Sequence, residues 1–161
     1  MQKVRIGVIG TGSISEMHLK SYKGNPHADL VAICDVNEER ARQVADKYGA
    51  TKVYTDYRQL VADAEIDAVS VCTWNNTHAP ISIAALQAGK HVLVEKPLCH
   101  TMEEAYEVEK AVRESGKLLQ VGYVRRFDPN VKMIREFVDQ GEFGELYYAK
   151  ASTLRRLGNP G

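Results

Sequence analysis

The sequence lacks the features that mark several large classes of protein. Its 21 basic residues are balanced by 21 acidic residues, so no overall charge attracts nucleic acid or an anionic membrane surface. No apolar run approaches the roughly 18 residues of a membrane-spanning segment, and the chain begins without a signal-peptide pattern. Low-complexity tracts are missing, and 44% of the residues are hydrophobic, unlike a disordered chain. We expect a globular protein without nucleic-acid or membrane partners.

Cysteine is also scarce. The three cysteines, Cys34, Cys72 and Cys99, are widely spaced and form no Cys-x-x-Cys pair. Two of them lie in predicted core strands, which is typical of buried thiols in a reducing compartment. The histidines show no metal-ligand spacing either. We therefore predict a cytoplasmic protein with no metal site.

What the sequence does have is a regular alternation of strand-like and helix-like segments. The predicted strands are Val4–Ile9, Leu30–Cys34, Lys52–Tyr54, Ala68–Cys72, His91–Val94 and Leu118–Val121. Continuously apolar strands that alternate with helices indicate a parallel sheet covered on both faces. At 161 residues the chain is long enough for one ordinary domain with a real core. The predicted fold is α/β with a doubly wound parallel sheet.

The predicted helices carry start and stop signals. Expected caps at helix starts are Ser13 with Glu16, Thr101 with Glu104, and Asp128 with Pro129. Glycines in the left-handed conformation are expected to end helices at Gly24, Gly49, Gly89, Gly116 and Gly141. The two kinds of signal agree with the alternation of strands and helices.

The turn after the first strand resembles a phosphate-binding loop. It reads Gly10-Thr11-Gly12-Ser13-Ile14-Ser15 and leads into a helix. The first glycine allows a tight turn, and the second lets backbone amides approach a pyrophosphate at the helix N-terminus. The third position of the motif is Ser15 instead of glycine or alanine. We predict cofactor contacts from residues 10–14, and a tight turn without a ligand is the alternative.

Asp35 ends the second predicted strand, about 20 residues beyond the turn, where a Rossmann-type site places a carboxylate on the adenosine ribose hydroxyls. Its charge would repel a 2′-phosphate. Val36 and Asn37 follow, with no Arg or Lys beside Asp35 to hold such a phosphate. NAD is therefore predicted as the cofactor, with NADP less favoured. The alternative role for Asp35 is a helix cap at a strand end.

The most specific part of the sequence lies between Asp67 and Arg126. It contains Cys72-Thr73-Trp74-Asn75-Asn76-Thr77-His78, then Ala88-Gly89-Lys90-His91-Val92-Leu93-Val94-Glu95-Lys96-Pro97-Leu98, then Val121-Gly122-Tyr123-Val124-Arg125-Arg126-Phe127. With these segments the chain closely resembles, over essentially its whole length, the family of glucose-fructose oxidoreductase, inositol dehydrogenase and rhizopine-catabolism proteins. The resemblance implies an N-terminal Rossmann domain and a C-terminal α/β domain. It also implies NAD(P)-dependent oxidation or reduction of sugars, cyclitols and related small molecules.

The resemblance also assigns roles to individual residues. The family's Glu-Lys-Pro motif matches Glu95-Lys96-Pro97, and its active-site lysine corresponds to Lys96. We expect Lys96 to bind the reacting oxygen of the substrate and to assist proton transfer. Further implied cofactor contacts are Thr73, Asn75, His78, Glu95 and Lys96, and Arg125 is implied to lie near the substrate. Trp74 replaces the family's usual proline.

Each of these residues also has a possible structural role without any contact to a ligand. Lys96 could be a surface lysine at a strand end, and His78 could lie in the first turn of the next helix. Arg125 and Arg126 could be a solvated pair at a domain boundary.

The expected domains are an NAD(P)-binding Rossmann domain over residues 1–125 and, over residues 126–161, a connecting helix and the start of a truncated substrate domain. Gly144–Leu154 is expected to form the first strand of that domain, with a loop starting at Arg155-Arg156. Family members are about twice as long or more, and their second domain completes the acid–base residues. We expect this chain to bind cofactor but to turn over slowly or not at all, and the full-length protein to be a homo-oligomer.

Two other functions are compatible with the sequence. One is a regulatory protein that keeps the dinucleotide fold without the chemistry, although the complete Glu95-Lys96-Pro97 motif favours an enzyme. The other is a free-standing binding module whose last strand is covered by self-association.

Overall fold

The computed structural model describes residues 3–152 and Leu154. The strands are β1 Val4–Ile9, β2 Ala28–Cys34, β3 Lys52–Tyr54, β4 Ala68–Val71, β5 His91–Val94 and β6 Leu119–Val121. The helices are α1 Ser15–Lys23, α2 Glu38–Tyr48, α3 Tyr57–Ala62, α4 His78–Gln87, α5 Met102–Ser115 and α6 Pro129–Asp139. The chain divides into two compact units, Met1–Tyr123 and Val124–Gly161, so the whole sheet lies in the first.

The six strands form one parallel sheet in the order β3-β2-β1-β4-β5-β6. This is the doubly wound Rossmann arrangement that the alternation of apolar runs predicts, and the predicted strand bounds agree to within two residues. The strand order reverses between β1 and β4, where Ile6 pairs with Ala68. In such sheets ligands bind outside the carboxyl ends of the strands at this reversal.

Apolar side chains bury both faces of the sheet. Neighbouring residues of β1 point to opposite faces, so that Val8 packs in one core cluster with Leu19 and Ile33, while Ile9 packs in the other with Leu60 and Leu86. The last residues of β2 and β4, Cys34 and Val71, are buried, as is Cys72 directly after β4, and both cysteines are free thiols. Burial of each large aliphatic side chain contributes roughly 1.5–3 kcal/mol, so the core fixes the strand ends that carry the polar loops.

Most of the predicted helix signals are confirmed. Thr101 accepts a hydrogen bond from Glu104 N at the start of α5, and Asp128 accepts one from Asn130 N at the start of α6, where Pro129 is the first residue. Positive φ angles occur, as predicted, at Gly49, Gly89, Gly116 and Gly141.

Two predicted signals of α1 are wrong. The helix begins at Ser15, not after a Ser13 cap, because Ser15 N bonds back to Gly12 O and closes a tight turn first. The Glu16 carboxylate pairs with Lys47 instead of reaching back to Ser13. Gly24 has a right-handed φ of −87°, because its N–H bonds to Lys20 O and continues the helical pattern.

The second unit contains a 3₁₀ turn at Val124–Phe127 and helix α6. The predicted strand over Gly144–Leu154 is not formed: residues 144–152 and Leu154 belong to no strand, since none of the described residues pairs with them as a β-ladder requires. Thr153 and the predicted loop at Arg155-Arg156 lie outside the described residues. None of the helices in the described ranges has the length and apolar character needed to cross a membrane.

Candidate cofactor and active site

The structure gathers most of the predicted site residues at one edge of the sheet. The turn at residues 10–14 follows β1, Asp35 follows β2, Thr73 and Asn75 follow β4, and Lys96 follows β5. The carboxyl ends of parallel strands share one edge, so these segments flank the reversal between β1 and β4. Arg125 belongs to the second unit, where it pairs with Asp128 at 3.4 Å.

The two glycines of the turn have different physical reasons to be there. Gly10 has a φ of +91°, and a Cβ at this position would lie 2.6 Å from Cys72 O, so no other residue fits between the ends of β1 and β4. A Cβ at Gly12 would meet no protein atom within 4 Å. The chain itself therefore leaves room for a side chain at Gly12, and the reason that the motif gives for this glycine is close approach of the backbone to a phosphate.

The turn presents free hydrogen-bond donors. Among the described residues, none accepts a hydrogen bond from the backbone N–H groups of Gly12, Ser13 or Ile14. These three residues are exposed and lead into the N-terminus of α1. Unpaired amides at a helix start form an anion site, so residues 12–14 fit the pyrophosphate of a dinucleotide.

Asp35 is held firmly at the end of β2. One carboxylate oxygen accepts hydrogen bonds from Thr11 N and Thr11 Oγ1, and the other accepts from Asn37 N and the Arg40 guanidinium. Burial alone would raise the pKa of Asp35, but the donors from Thr11, Asn37 and Arg40 outweigh it and lower the pKa. The side chain is therefore a fixed anion, as a ribose-binding carboxylate must be.

Arg40 corrects one inference from the sequence, because a basic residue does lie beside Asp35. Its guanidinium reaches back from the first turn of α2 to within 2.9 Å of Asp35 Oδ1, and half of its side chain is exposed. In the sequence, Arg40 lies beyond the residues that directly follow Asp35. A helix that starts at Glu38 turns a residue five positions away back over the strand end.

The loop after β4 is a 3₁₀ turn at Asn75–Thr77 that leads into α4. Asn75 and Trp74 are exposed, while Thr77 Oγ1 bonds to Thr73 Oγ1 at 2.7 Å. His78 occupies the first turn of α4, which confirms the helical alternative for this residue. Its contact with the nicotinamide half stays a prediction.

The His78 ring connects two loops of the site. It is 1% exposed, with Nδ1 2.7 Å from Pro97 O and Nε2 3.1 Å from Thr73 O. Both partners are backbone carbonyls, which only accept hydrogen bonds, so a ring with one N–H donates to one of them and only a ring with two donates to both. His78 therefore packs between the loop after β4 and the loop after β5.

The Glu95-Lys96-Pro97 motif divides into a buried and an exposed part. Glu95 is buried at the end of β5, and Lys96 is exposed beside it, followed by a cis peptide bond to Pro97. Among the described residues, none accepts a hydrogen bond from Lys96 Nζ. The amine is thus available to a ligand at the edge where the dinucleotide turn lies.

A buried polar chain supports this motif, and sequence reasoning missed it. Glu95 Oε1 lies 2.9 Å from His18 Nε2, His18 Nδ1 lies 3.3 Å from Ser70 Oγ, and Ser70 Oγ is hydrogen-bonded to Tyr22 OH. Two signals could have found it. Ser70 is a polar residue within an apolar strand, which requires a partner, and His18 and Tyr22 share one face of α1.

The neighbouring thiols are inert. Burial, and secondarily the charge of Glu95, raises the pKa of Cys72 to about 12. Burial raises the pKa of Cys34 to about 12 as well, with the charge of Asp35 adding to it. No group of three or more His, Cys, Asp or Glu side chains within the described part of the chain could hold a metal ion.

Comparison with known proteins agrees with this geometry. A family model for oxidoreductases with an NAD-binding Rossmann fold matches residues 4–123. The chain is 39% identical over 150 residues to myo-inositol 2-dehydrogenase of Thermotoga maritima, covering 93% of this chain and 45% of that protein. It is 36% identical over 159 residues to D-glucoside 3-dehydrogenase of Escherichia coli, covering 98% of this chain and 45% of that protein.

A solved structure gives the same picture. Scyllo-inositol dehydrogenase from Lactobacillus casei, crystallised with NAD(H) and scyllo-inositol, superimposes with a TM-score of 0.84 at 29% identity, over 89% of this chain and 43% of that one. The chain thus spans less than half the length of these relatives. The family match covers most of the chain, and it coincides with the unit that holds the free amides, Asp35 and Lys96. The chain therefore belongs to the oxidoreductase family with an NAD-binding Rossmann fold that its motifs resemble.

Proposed function

We propose that this chain is the cofactor-binding part of an NAD-dependent dehydrogenase that oxidises a secondary hydroxyl of a cyclitol or sugar. The observation that carries the proposal is the exposed Lys96 amine, which meets no acceptor among the described residues, at the sheet edge that also presents the amides of residues 12–14. The relatives named above support the substrate class, because they are named for inositols and D-glucosides.

In the proposed reaction the hydroxyl loses a proton from oxygen and a hydride from carbon. The bound NAD+ supplies the hydride acceptor. Lys96 Nζ binds the reacting oxygen and assists the transfer of its proton to solvent. Thr73 and His78 hold the surrounding loops in place, and Asn75, exposed after β4, is proposed to contact the nicotinamide half together with Glu95.

NAD is proposed over NADP, even though Arg40 lies beside Asp35. The Asp35 carboxylate has a lowered pKa and stays charged at neutral pH. It would therefore disfavour a 2′-phosphate, and a ribose hydroxyl would bind it by taking the place of one of its four present donors. Arg40 is paired with this carboxylate at 2.9 Å, so it is not free to hold a 2′-phosphate while that pair is intact.

Titration with NADH and, separately, with NADPH tests the cofactor site. Trp74 is the sole tryptophan of the chain and is 76% exposed in the loop after β4, so quenching of its fluorescence reports binding near that loop. We expect NADH to bind about tenfold more tightly than NADPH, a difference of about 1.4 kcal/mol. Equal or tighter binding of NADPH would contradict the NAD assignment, and folded protein that binds neither would overturn the proposal.

The regulatory alternative does not account for the Lys96 amine. A dinucleotide-binding regulator has no need of a free amine at the hydride-transfer position, and the named relatives are dehydrogenases.

Three further expectations stay predictions: Arg125 as a substrate contact, a cytoplasmic location and a homo-oligomeric full-length protein. The buried thiols of Cys34 and Cys72 are consistent with a reducing compartment.

A further inference from the structure

A buried pair joins the helix of the dinucleotide turn to the lysine motif. His18 on α1 and Glu95 after β5 are 77 residues apart in sequence, yet their side chains meet at 2.9 Å with only 10% and 7% of their surfaces exposed. A buried carboxylate is costly unless it is paired and hydrogen-bonded. The position of Glu95 is therefore fixed by α1 as well as by its own strand.

The second oxygen of the same carboxylate bonds to the lysine itself. Glu95 Oε2 accepts a hydrogen bond from Lys96 N at 3.3 Å. On the other side, Gly122 at the end of β6 lies so close that a Cβ there would be 3.0 Å from Glu95 Oε1. The carboxylate has little room to move, and the Lys96 backbone is attached to it.

The donor and acceptor roles agree with one another along the side-chain network, which runs from Glu95 through His18 and Ser70 to Tyr22. A carboxylate only accepts hydrogen bonds, so His18 Nε2 is assigned as the donor to Glu95 Oε1. In the tautomer with its single N–H on Nε2, Nδ1 accepts from Ser70 Oγ. Ser70 Oγ in turn accepts from Tyr22 OH, one helical turn beyond His18 on α1. Each of these four side chains has a hydrogen-bond partner in the network, so the arrangement specifies one orientation of the His18 ring.

We propose that His18 is a positioning residue for Lys96. Through Glu95 it connects the helix whose N-terminus faces the pyrophosphate with the backbone that presents the lysine amine. His18 touches neither cofactor nor substrate in this scheme. Its effect on Lys96 is through the carboxylate alone, and its functional meaning rests on the role proposed above for Lys96.

Backbone hydrogen exchange at Lys96 tests this directly. In His18→Leu we expect exchange of the Lys96 amide to become about tenfold faster, because the carboxylate that receives it loses its partner. His18→Gln places an amide N–H near the position of Nε2 and should restore slow exchange. His27→Leu, at an exposed histidine near the opposite edge of the sheet, is the matched control and should change nothing at Lys96.

Two results would overturn the proposal. One is unchanged exchange at Lys96 in folded His18→Leu, and the other is faster exchange spread evenly over β4 and β5, which would reflect general destabilisation. Should His18→Leu not fold, His18→Asn serves instead, because its shorter side chain places no donor at the position of Nε2, and unchanged exchange of the Lys96 amide in that variant would equally contradict the coupling. NADH titration of the wild-type chain is run alongside. Its failure would remove the proposed function and leave the exchange result intact.

Discussion

The two edges of the sheet carry the same kinds of polar group, but these groups have different roles. At the amino edge, Arg5 pairs with Asp67 at 2.7 Å, Lys52 pairs with Asp63 at 2.6 Å, and buried Lys90 donates to two backbone carbonyls. At the carboxyl edge, the Lys96 amine and the amides of residues 12–14 donate to no acceptor among the described residues. Polar groups that are satisfied within the chain stabilise the fold, whereas those left free at a concave edge are available for a ligand.

The largest effect expected at the carboxyl edge concerns its two glycines. Gly10→Ala should lower the free energy of unfolding by about 3 kcal/mol or more, because it combines an unfavourable φ with a clash against Cys72 O. Gly12→Ala should leave stability within about 0.5 kcal/mol and weaken NADH binding instead. Urea unfolding and the Trp74 titration measure the two effects. A stable Gly10→Ala would show that the two strand ends can separate.

A pair of lysines compares the two edges directly. Lys90→Met should destabilise the protein by about 2 kcal/mol, because Asp63 O and Ile66 O lose a charged donor at a buried site. Its NADH affinity should not change. Lys96→Met, at an exposed site, should leave unfolding within about 0.5 kcal/mol. Equal losses of stability in the two variants would contradict the division between the edges.

The third comparison is between Asp35 and Arg40 at the end of β2. Asp35→Ala should weaken NADH binding about tenfold, or about 1.4 kcal/mol, and strengthen NADPH binding, because Arg40 is released to meet a 2′-phosphate. Adding Arg40→Ala should abolish the gain for NADPH. If NADPH binds the double variant as well as it binds Asp35→Ala, Arg40 has no part in cofactor choice.

The smallest expected effect is the loss of folding stability at low pH that comes from Asp63 at the amino edge. Lys52, then Glu65 N and Tyr54 OH, hold the pKa of Asp63 at about 2, below its ordinary 3.8. A depressed pKa stabilises the fold above the ordinary value, and this contribution is lost as the pH falls towards 2. Between about pH 5 and about pH 2 we expect the wild type to lose about 1 kcal/mol more than Asp63→Asn does, a figure reduced for solvent screening. Parallel loss in both proteins would remove Asp63 as the cause.

Features that depend on neighbours in sequence could be predicted from this sequence. Features that depend on contacts between residues far apart in sequence could not. The strands, the caps at Thr101 and Asp128, and the turn at Gly10 depend on neighbours in sequence, so apolar runs and glycine spacing indicate them. His18, the partner of Glu95 on α1, is 77 residues away in sequence, and no periodicity encodes such a distance. Arg40 was missed because its position depends on where α2 begins. The strand expected at Gly144 failed because β propensity alone does not supply a partner.

The reversal of strand order also governs how the domain is assembled. Strands β1 to β3 and β4 to β6 each follow one another along the chain, and within the sheet the halves join where β1 meets β4. Near this seam Arg5 and Asp67 are 62 residues apart in sequence, so closing it carries the cost of a long loop and tends to be slow. A dinucleotide bound across the seam stabilises only the joined sheet, by about 2.7 kcal/mol at a concentration one hundred times its Kd. Binding of the cofactor thus favours the finished domain over chains in which the halves are apart, and the rise in melting temperature with NADH measures that contribution.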